Sequence, residues 1–121
     1  MRITIGKNSM STVTYEEFER VDLRSGTIVK AELFPKAKNP SYKVWADFGN
    51  SIGVLQTSAQ ITTHYTPEDL IGKKIVGCIN LGEKNIAGFI SQFLLVGFSD
   101  GNGGICLITT DPQVPNGSKL H

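Results

Sequence analysis

The chain has 121 residues, of which 40% are hydrophobic and 19% are charged. This length accommodates one domain with a real core but not two ordinary domains, and the composition excludes a disordered chain, which would be poorer in apolar residues and richer in charge. The formal net charge of +1 gives no general sign of nucleic-acid binding, so any basic surface must be local.

The N-terminal segment, residues 1–13, has no clean periodicity and is predicted to be a loose arm, with at most a strand from Arg2 to Ile5. It lacks the continuous apolar stretch of a signal peptide, and no other run approaches the roughly 20 apolar residues of a membrane-spanning helix. We therefore expect a cytoplasmic protein that does not insert into membranes.

A short helix and a long strand are predicted next. Thr14 and Glu17 have the Thr-x-x-Glu spacing of a capping box, which predicts a helix from about Tyr15 to Arg20. Leu23 to Phe34 is predicted to be a long strand, and Gly26, which stands before the run Thr27-Ile28-Val29, indicates a bulge or a sharp bend.

The middle of the chain predicts two further strands separated by a tight turn. Residues 35–41 form a turn-rich connection. Residues 42–48 then alternate in the period of a half-buried strand. Gly49 to Gly53 resembles a hairpin turn, and it leads into a strand from Val54 to Ser58.

The second half predicts one helical turn and more strands. Thr66 to Asp69 has an N-cap residue, a proline at the first helical position and acidic residues, and Gly72 ends the segment. The tail from Asp111 is predicted to be irregular. The apolar strands are predicted at Lys74–Leu81, Phe93–Phe98 and Ile105–Thr109.

These elements predict an all-β fold in which residues 14–121 form one domain. Five or more short strands with glycine-rich corners and fragmentary helix favour a closed or partly closed β-barrel, and a β-sandwich is the alternative. Cys78 and Cys106 both lie in apolar runs, so we expect two buried, reduced thiols.

No catalytic or metal-binding constellation is recognisable in the sequence. His64 and His121 do not stand at metal-ligand spacing, and His64 is expected to be a solvated loop residue. Nucleophile-elbow, phosphate-loop and dinucleotide-binding motifs are absent. We therefore expect a binding protein with no enzymatic activity, no metal and no cofactor.

A local basic stretch is the clearest candidate for a binding surface. Residues 34–46 contain Lys36, Lys38 and Lys43 and no acidic residue, which suits phosphate contacts or, alternatively, an ordinary solvated loop. Trp45 shares the outer face of its strand with Lys43. Its ring is therefore placed to stack on a base, to pack against a partner subunit or to be covered by a neighbouring loop.

Three stretches together resemble a known family. They are residues 21–29 (VDLRSGTIV) with Ala31-Glu32, residues 57–62 (TSAQIT) running into residues 65–72 (YTPEDLIG), and Asn80-Leu81 followed by residues 86–91 (IAGFIS). In this order they resemble the tRNA-binding domain that is also appended to methionyl- and phenylalanyl-tRNA synthetases, and in particular its free-standing CsaA-like branch. The resemblance extends from Tyr15 to Gly97.

The resemblance implies a five-stranded barrel of the oligonucleotide/oligosaccharide-binding (OB) type with short flanking helices. It implies a homodimer that grips tRNA by its overall shape, with the N-terminal helix and the C-terminal segment helping to form the dimer. The alternative function is a chaperone that holds unfolded preproteins and contacts SecA, with Phe89, Ile90 and Phe93 as the apolar residues near the groove; otherwise these three are simply core.

The resemblance also assigns site residues. Lys43 matches a lysine at the start of the second strand, Ser58 and Gln60 match a polar loop, and Asn80 and Ser91 match two further positions on the ligand-facing side. Hydroxyl and amide groups suit ribose hydroxyls and phosphate oxygens without demanding a base sequence. The full predicted RNA-binding set is Lys36, Lys38, Lys43, Ser58, Gln60, Asn80, Lys84 and Ser91.

Overall fold

The computed structural model describes residues 11–121, so the strand predicted at residues 2–5 lies outside the described part of the chain. In chain order the elements of that part are α1 (Tyr15–Arg20), β1 (Leu23–Leu33), β2 (Tyr42–Asp47), β3 (Val54–Ala59), α2 (Pro67–Leu70), β4 (Lys74–Cys78), β5 (Lys84–Ile86), β6 (Phe89–Ser91), β7 (Leu94–Leu95), β8 (Gly97–Ser99) and β9 (Ile105–Leu107). Both helices are too short to span a membrane.

The first helix begins where its capping box predicts. The Thr14 hydroxyl accepts a hydrogen bond from the Glu17 N–H at 3.0 Å, and the Glu17 carboxylate accepts one from the Thr14 N–H at 2.8 Å. These reciprocal bonds satisfy backbone donors that a helix N-terminus otherwise leaves without partners. Thr66 and Asp69 form the same arrangement at the start of α2.

The main sheet has five antiparallel strands in the order β3-β2-β1-β4-β7, and it curls into a nearly closed barrel. β1 is shared between two neighbours, because its first half pairs with β4 and its second half with β2. The predicted all-β, five-stranded barrel of the OB type is confirmed. Two small hairpins, β5–β6 and β8–β9, are attached to it.

The bulge in β1 lies at a different residue from the one predicted. Pairing with β4 is regular through Gly26, whereas the register to β2 shifts between Ile28 and Lys30. The bulge therefore does not lie at Gly26, and the other alternative, a sharp bend at this residue, stays a prediction. This glycine allows close packing instead, since a Cβ there would lie 2.9 Å from the ring of Phe48.

The core fills the inside of the barrel. Along β2, buried and half-buried residues alternate as predicted, and Tyr42, Val44 and Ala46 point inward. At the centre the rings of Phe48 and Phe93 meet edge to face with their centroids 5.0 Å apart. This geometry matches the quadrupoles of two aromatic rings better than a face-to-face sandwich would.

The C-terminal tail has the predicted irregular backbone, but it is fastened to β1. The Ser25 N–H donates to the Ser118 carbonyl, the Gly117 N–H donates to the Ser25 carbonyl, and the Leu120 N–H donates to the Leu23 carbonyl. The tail thereby satisfies backbone groups of β1 that a free sheet edge would expose.

In the second half two predictions need correction and one element was missed. The strand predicted from Phe93 to Phe98 is divided into β7 and β8, and the β5–β6 hairpin was not predicted. Cys78 is buried as expected, whereas Cys106 is exposed. Cys106 stands opposite the exposed Phe98 in the two-stranded β8–β9 hairpin, so an apolar sequence run did not place it in the core.

Candidate nucleic-acid interface

The β5–β6 hairpin lies against the outer face of β2 and β3. The ring of Phe89 meets Trp45 edge to face at a centroid distance of 5.7 Å. Between them, Gln56 accepts a hydrogen bond from the Trp45 indole N–H at 3.2 Å and donates one to the Ile90 carbonyl at 2.9 Å. Of the three roles predicted for Trp45, the structure has it half-buried beneath a neighbouring segment.

The segment that follows this hairpin closes the free edge of β3. The Ser58 N–H donates to the Ser91 hydroxyl oxygen at 2.8 Å, and the Gln56 N–H donates to the Gln92 side-chain oxygen at 3.0 Å. The Thr57 hydroxyl donates to the Phe93 carbonyl at 2.6 Å. Side chains therefore satisfy an edge whose backbone groups would otherwise attract another strand.

A groove of about 860 Å³ lies beside this closure, and we call it the main groove. It runs between the β1–β2 connection, the end of β3 and the start of the β5–β6 hairpin. Its floor is apolar, with Ile61, Phe93 and Leu95 among the lining residues. The structure brings five of the predicted site residues together along it, namely Lys38, Ser58, Gln60, Lys84 and Ser91.

A smaller cavity of about 500 Å³, the side groove, lies at the tip of the same hairpin and takes two more predicted residues, Lys36 and Lys43. The Lys43 ammonium stands 4.9 Å from the ring centroid of Phe34 and 5.1 Å from that of Phe89. Cation–π attraction to two rings holds this ammonium in place while it remains only half-buried.

Charge is divided unequally between the two grooves. The main groove is lined by Lys38, Lys84 and Glu83, which leaves one net positive charge. The side groove is lined by Lys36 and Lys43 without an acidic residue. A phosphate group is therefore attracted more strongly to the side groove, while the main groove offers more hydroxyl and amide groups.

Asn80 lines neither groove. Its side-chain oxygen accepts a hydrogen bond from the Asp22 N–H at 2.9 Å, and its side-chain nitrogen donates to the Arg20 carbonyl at 2.6 Å. The oxygen and the nitrogen of the Asn80 amide thus connect the residues at the end of α1 to the segment after β4. Its predicted contact with RNA stays a prediction, but its position is distinct from that of the other seven.

The sequence did not single out every residue that lines the main groove. Asn39 belongs to the same connection as Lys38 and contributes an amide, and Leu81 and Leu94 add apolar side chains. Asn39 lies inside the basic stretch and could have been included for that reason. Leu81 belongs to one of the family motifs but was given no role, and Leu94 carries no sequence signal, because ordinary core strands have the same residue.

His64 is an exposed loop residue, as expected, and it also has a defined partner. Its Nε2 lies 2.6 Å from an oxygen of Asp100, which joins the β8–β9 turn to the segment between β3 and α2. Hydrogen bonds from the Asn102 N–H, the His64 ring and the Gly104 N–H hold the pKa of the Asp100 carboxyl below its usual value. Among residues 11–121, no three histidine, cysteine or acidic side chains stand together as a metal site requires.

Comparison with known proteins identifies the class to which this fold and these grooves belong. Residues 23–119 match the model of the family described as "Putative tRNA binding domain", so the chain belongs to the tRNA-binding domain family. This is a non-catalytic domain. The family predicted from the three sequence stretches is confirmed.

Particular relatives are of two kinds. The chain is 33% identical over 118 residues to methionine–tRNA ligase of Methanocaldococcus jannaschii and 35% identical over 116 residues to that of Pyrococcus furiosus. These matches cover 98% and 96% of this chain but only 18% and 16% of the ligases. The chain therefore spans less than a fifth of the length of these curated relatives.

Among solved structures, the chain is similar to the chaperone CsaA of Bacillus anthracis, with 40% identity and a TM-score of 0.82, over 92% of this chain and 100% of that one. It is also similar to the CsaA chaperone protein of Picrophilus torridus, with 38% identity and a TM-score of 0.84, over 91% and 100%. A MetRS-related protein of Pyrococcus horikoshii has 28% identity and a TM-score of 0.82, over 93% and 100%.

Replacing Asp100 by asparagine should remove a pH-dependent contribution to stability. Because folding lowers the pKa of this carboxyl, its contribution is present above the unfolded pKa of about 3.9 and is lost as pH falls through the folded pKa. We expect the melting temperature of Asp100→Asn to be lower than that of the parent at neutral pH and to approach it below about pH 4.

Thermal unfolding followed by circular dichroism across this pH range makes the measurement. Glu68→Gln is the control, since Glu68 is an exposed carboxylate without a side-chain hydrogen bond in residues 11–121. If the melting temperature of Asp100→Asn stays below that of the parent by the same amount from neutral to acid pH, the lowered pKa of Asp100 does not stabilise the fold.

Proposed function

We propose that this chain binds tRNA by its overall shape, as a homodimer, through the main groove and the side groove. The observation that carries the proposal is that seven of the eight predicted binding residues line these two grooves, on either side of one hairpin. Membership of the tRNA-binding domain family supports the choice of ligand. The chain acts as a binding protein and not as an enzyme, and it would meet tRNA in the cytoplasm.

The chemistry of the grooves suits a folded RNA. The Ser91 hydroxyl oxygen accepts the Ser58 N–H, and its own proton is left to donate to a ribose or phosphate oxygen. Gln60 is exposed and offers both a donor and an acceptor. Such groups recognise the 2′-hydroxyls and backbone of RNA without selecting a base sequence, which is recognition by shape.

The lysines of the side groove are proposed to supply the electrostatic part of the binding free energy. Each lysine that neutralises a phosphate releases counterions, so the affinity falls as salt rises, with a log–log slope of about 0.7 to 0.9 per contact. Lys43 is especially suited, because its ammonium is already held against two rings and loses little freedom on binding.

Removal of the two side-groove lysines should therefore lower both the affinity for tRNA and its salt dependence. For Lys36→Ala/Lys43→Ala we expect a log–log slope shallower than that of the parent by about 1.4 to 1.8, as two lost phosphate contacts would give. The measurement is fluorescence anisotropy of labelled bulk tRNA over a series of salt concentrations.

Lys73→Ala serves as the control for loss of a lysine elsewhere on the surface, since Lys73 lies in the turn before β4 and lines neither groove. It should leave the slope within experimental error of the parent value. Absence of saturable binding by the parent protein at low salt would overturn the proposed function, and equal slopes in all three proteins would overturn the role of the side groove.

The helix α1 supports the proposal of a homodimer. None of its residues is buried, although several are apolar. Tyr15 is 65% exposed, Phe18 is 38% exposed, and Val21 at the end of the helix is 44% exposed. A helix this short is not stable without packing, so its apolar side chains call for a partner surface. Two-fold pairing would also double the number of lysines that a single tRNA can meet.

Phe18→Glu should therefore convert the dimer to a monomer, because it puts a charge into the proposed interface while glutamate keeps the helix propensity high. Multi-angle light scattering of the eluting protein gives the molecular mass. Leu33→Glu is the control, since Leu33 is 65% exposed and lies at the opposite end of β1. A parent protein that elutes as a monomer, or a Phe18→Glu variant that stays dimeric, would contradict the proposed interface.

A second candidate function is the chaperone role, which the main groove favours by its apolar residues. Leu81 and Leu94 are 65% and 52% exposed there, and they offer a surface for the apolar side chains of an unfolded chain. Of the residues predicted for this role, Phe93 is buried in the core and Phe89 and Ile90 are half-buried in the hairpin. Contact with SecA stays a prediction.

Calorimetric titration with an unfolded preprotein at low and high salt tests this second role. Burial of apolar surface gives binding that resists salt, so we expect similar affinities in both buffers and weaker binding by Leu81→Ser/Leu94→Ser. Absence of heat and of a complex would exclude the chaperone role and leave the tRNA proposal standing.

A further inference from the structure

Two Asn–Gly pairs occur in the described chain, Asn102–Gly103 in the β8–β9 turn and Asn116–Gly117 in the C-terminal tail. In such a pair the backbone nitrogen of glycine can attack the side-chain amide carbon of asparagine, because glycine has no side chain to obstruct the approach. The attack requires a backbone N–H that is free to lose its proton and a chain that is free to bend. The two pairs differ sharply in both respects.

In the first pair the two reacting groups are free of other contacts, although the Asn102 N–H donates to Asp100. Asn102 and Gly103 are both exposed, and Gly103 has a φ of +94°. Within residues 11–121, the Gly103 N–H meets no hydrogen-bond acceptor and the Asn102 side chain makes no hydrogen bond. A Cβ placed on Gly103 would have no neighbour within 4 Å, so no other part of the described chain packs against this glycine.

The second pair is locked. The Gly117 N–H donates to the Ser25 carbonyl at 2.8 Å, and the Asn116 side-chain oxygen accepts a hydrogen bond from the Thr27 hydroxyl at 2.8 Å. Gly117 packs so closely on Phe48 that a Cβ would lie 2.5 Å from its carbonyl oxygen. The nucleophile and the electrophile of this pair are thus both held in other contacts.

We infer that Asn102 is a site of spontaneous deamidation in the folded protein and that the fold protects Asn116. Hydroxide removes the proton of the Gly103 backbone nitrogen, which then attacks the Asn102 side-chain carbon. A C–N bond forms, the C–N bond of the side-chain amide breaks, and the leaving nitrogen takes a proton from water and departs as ammonia, which regenerates hydroxide and leaves a cyclic imide. Water opens the imide at either carbonyl, which yields aspartate or isoaspartate, so the net reaction consumes water and releases ammonia.

The modification would act on the contact between His64 and Asp100. One Asp100 oxygen accepts the Asn102 and Gly104 N–H groups at 2.6 and 3.0 Å, and the other faces His64. Deamidation puts a second carboxylate into this turn, and the isoaspartyl linkage adds a methylene to the backbone between residues 102 and 103. Both changes weaken the hold of Asp100 on its donors.

Incubation of the full chain in mildly alkaline buffer, followed by peptide mapping with mass spectrometry, tests the inference. A parallel sample is kept in urea at a concentration that unfolds the protein. In urea we expect both asparagines to become acids at comparable rates. In the folded protein we expect conversion of Asn102, and conversion of Asn116 slower by at least about tenfold, the factor that an opening free energy of about 1.4 kcal/mol gives.

Two variants sharpen the result. Asn102→Ala identifies the modified peptide by its loss, and Thr27→Val removes the hydroxyl bonded to Asn116, so it should raise the rate at Asn116 without changing that at Asn102. Equal rates at the two sites in the folded protein would overturn the inference. An Asn102 that remains intact in the folded protein while it is converted in urea would also overturn it.

Discussion

The free edge of β3 is the constraint on which the rest of this structure depends. A five-stranded sheet with β3 at its border would leave a row of unpaired backbone groups. The chain satisfies them with the side chains of Ser91 and Gln92 and with the Gln92 backbone N–H, which donates to the Gln56 carbonyl. The Thr57 hydroxyl adds a hydrogen bond to the Phe93 carbonyl. These contacts bring Phe93 onto Phe48 in the core, and they fix the β5–β6 hairpin over Trp45. Closure of the barrel and the position of the hairpin therefore have one physical cause.

The same closure creates the two grooves. The hairpin projects from the barrel wall, so the main groove forms along its base and the side groove forms at its tip. Ser91 belongs to both parts of the structure, since its oxygen caps β3 and its proton is left for a ligand. A substitution at Ser91 would alter the edge of the sheet and the groove together, whereas the side chains of Lys36 and Lys43 make no hydrogen bond to the edge of the sheet.

The two candidate ligands would use different properties of the same surface. A folded RNA presents phosphates and 2′-hydroxyls, which match the lysines, hydroxyls and amides. An unfolded polypeptide presents apolar side chains, which match Leu81, Leu94 and the apolar floor. Electrostatic attraction is screened by salt and burial of apolar surface is not, so ionic strength is the variable that separates the two functions.

Much of this protein was determined by its sequence alone, namely the features that depend on neighbours along the chain. The Thr14–Glu17 capping box, the alternation of residues 42–48 and the ordered family motifs are local patterns, and they predicted α1, β2 and the five-stranded barrel.

Tertiary structure alone decided the β1 bulge, the exposure of Cys106, the separate position of Asn80 and the division of the lysines between two grooves. The β5–β6 hairpin escaped prediction because Ala87-Gly88 lacks the usual Asn-Gly turn signal, although Ala87 adopts the required positive φ of 48°. Each of these features results from contacts between residues that are distant in sequence, such as Ser58 with Ser91, and local patterns do not encode such contacts.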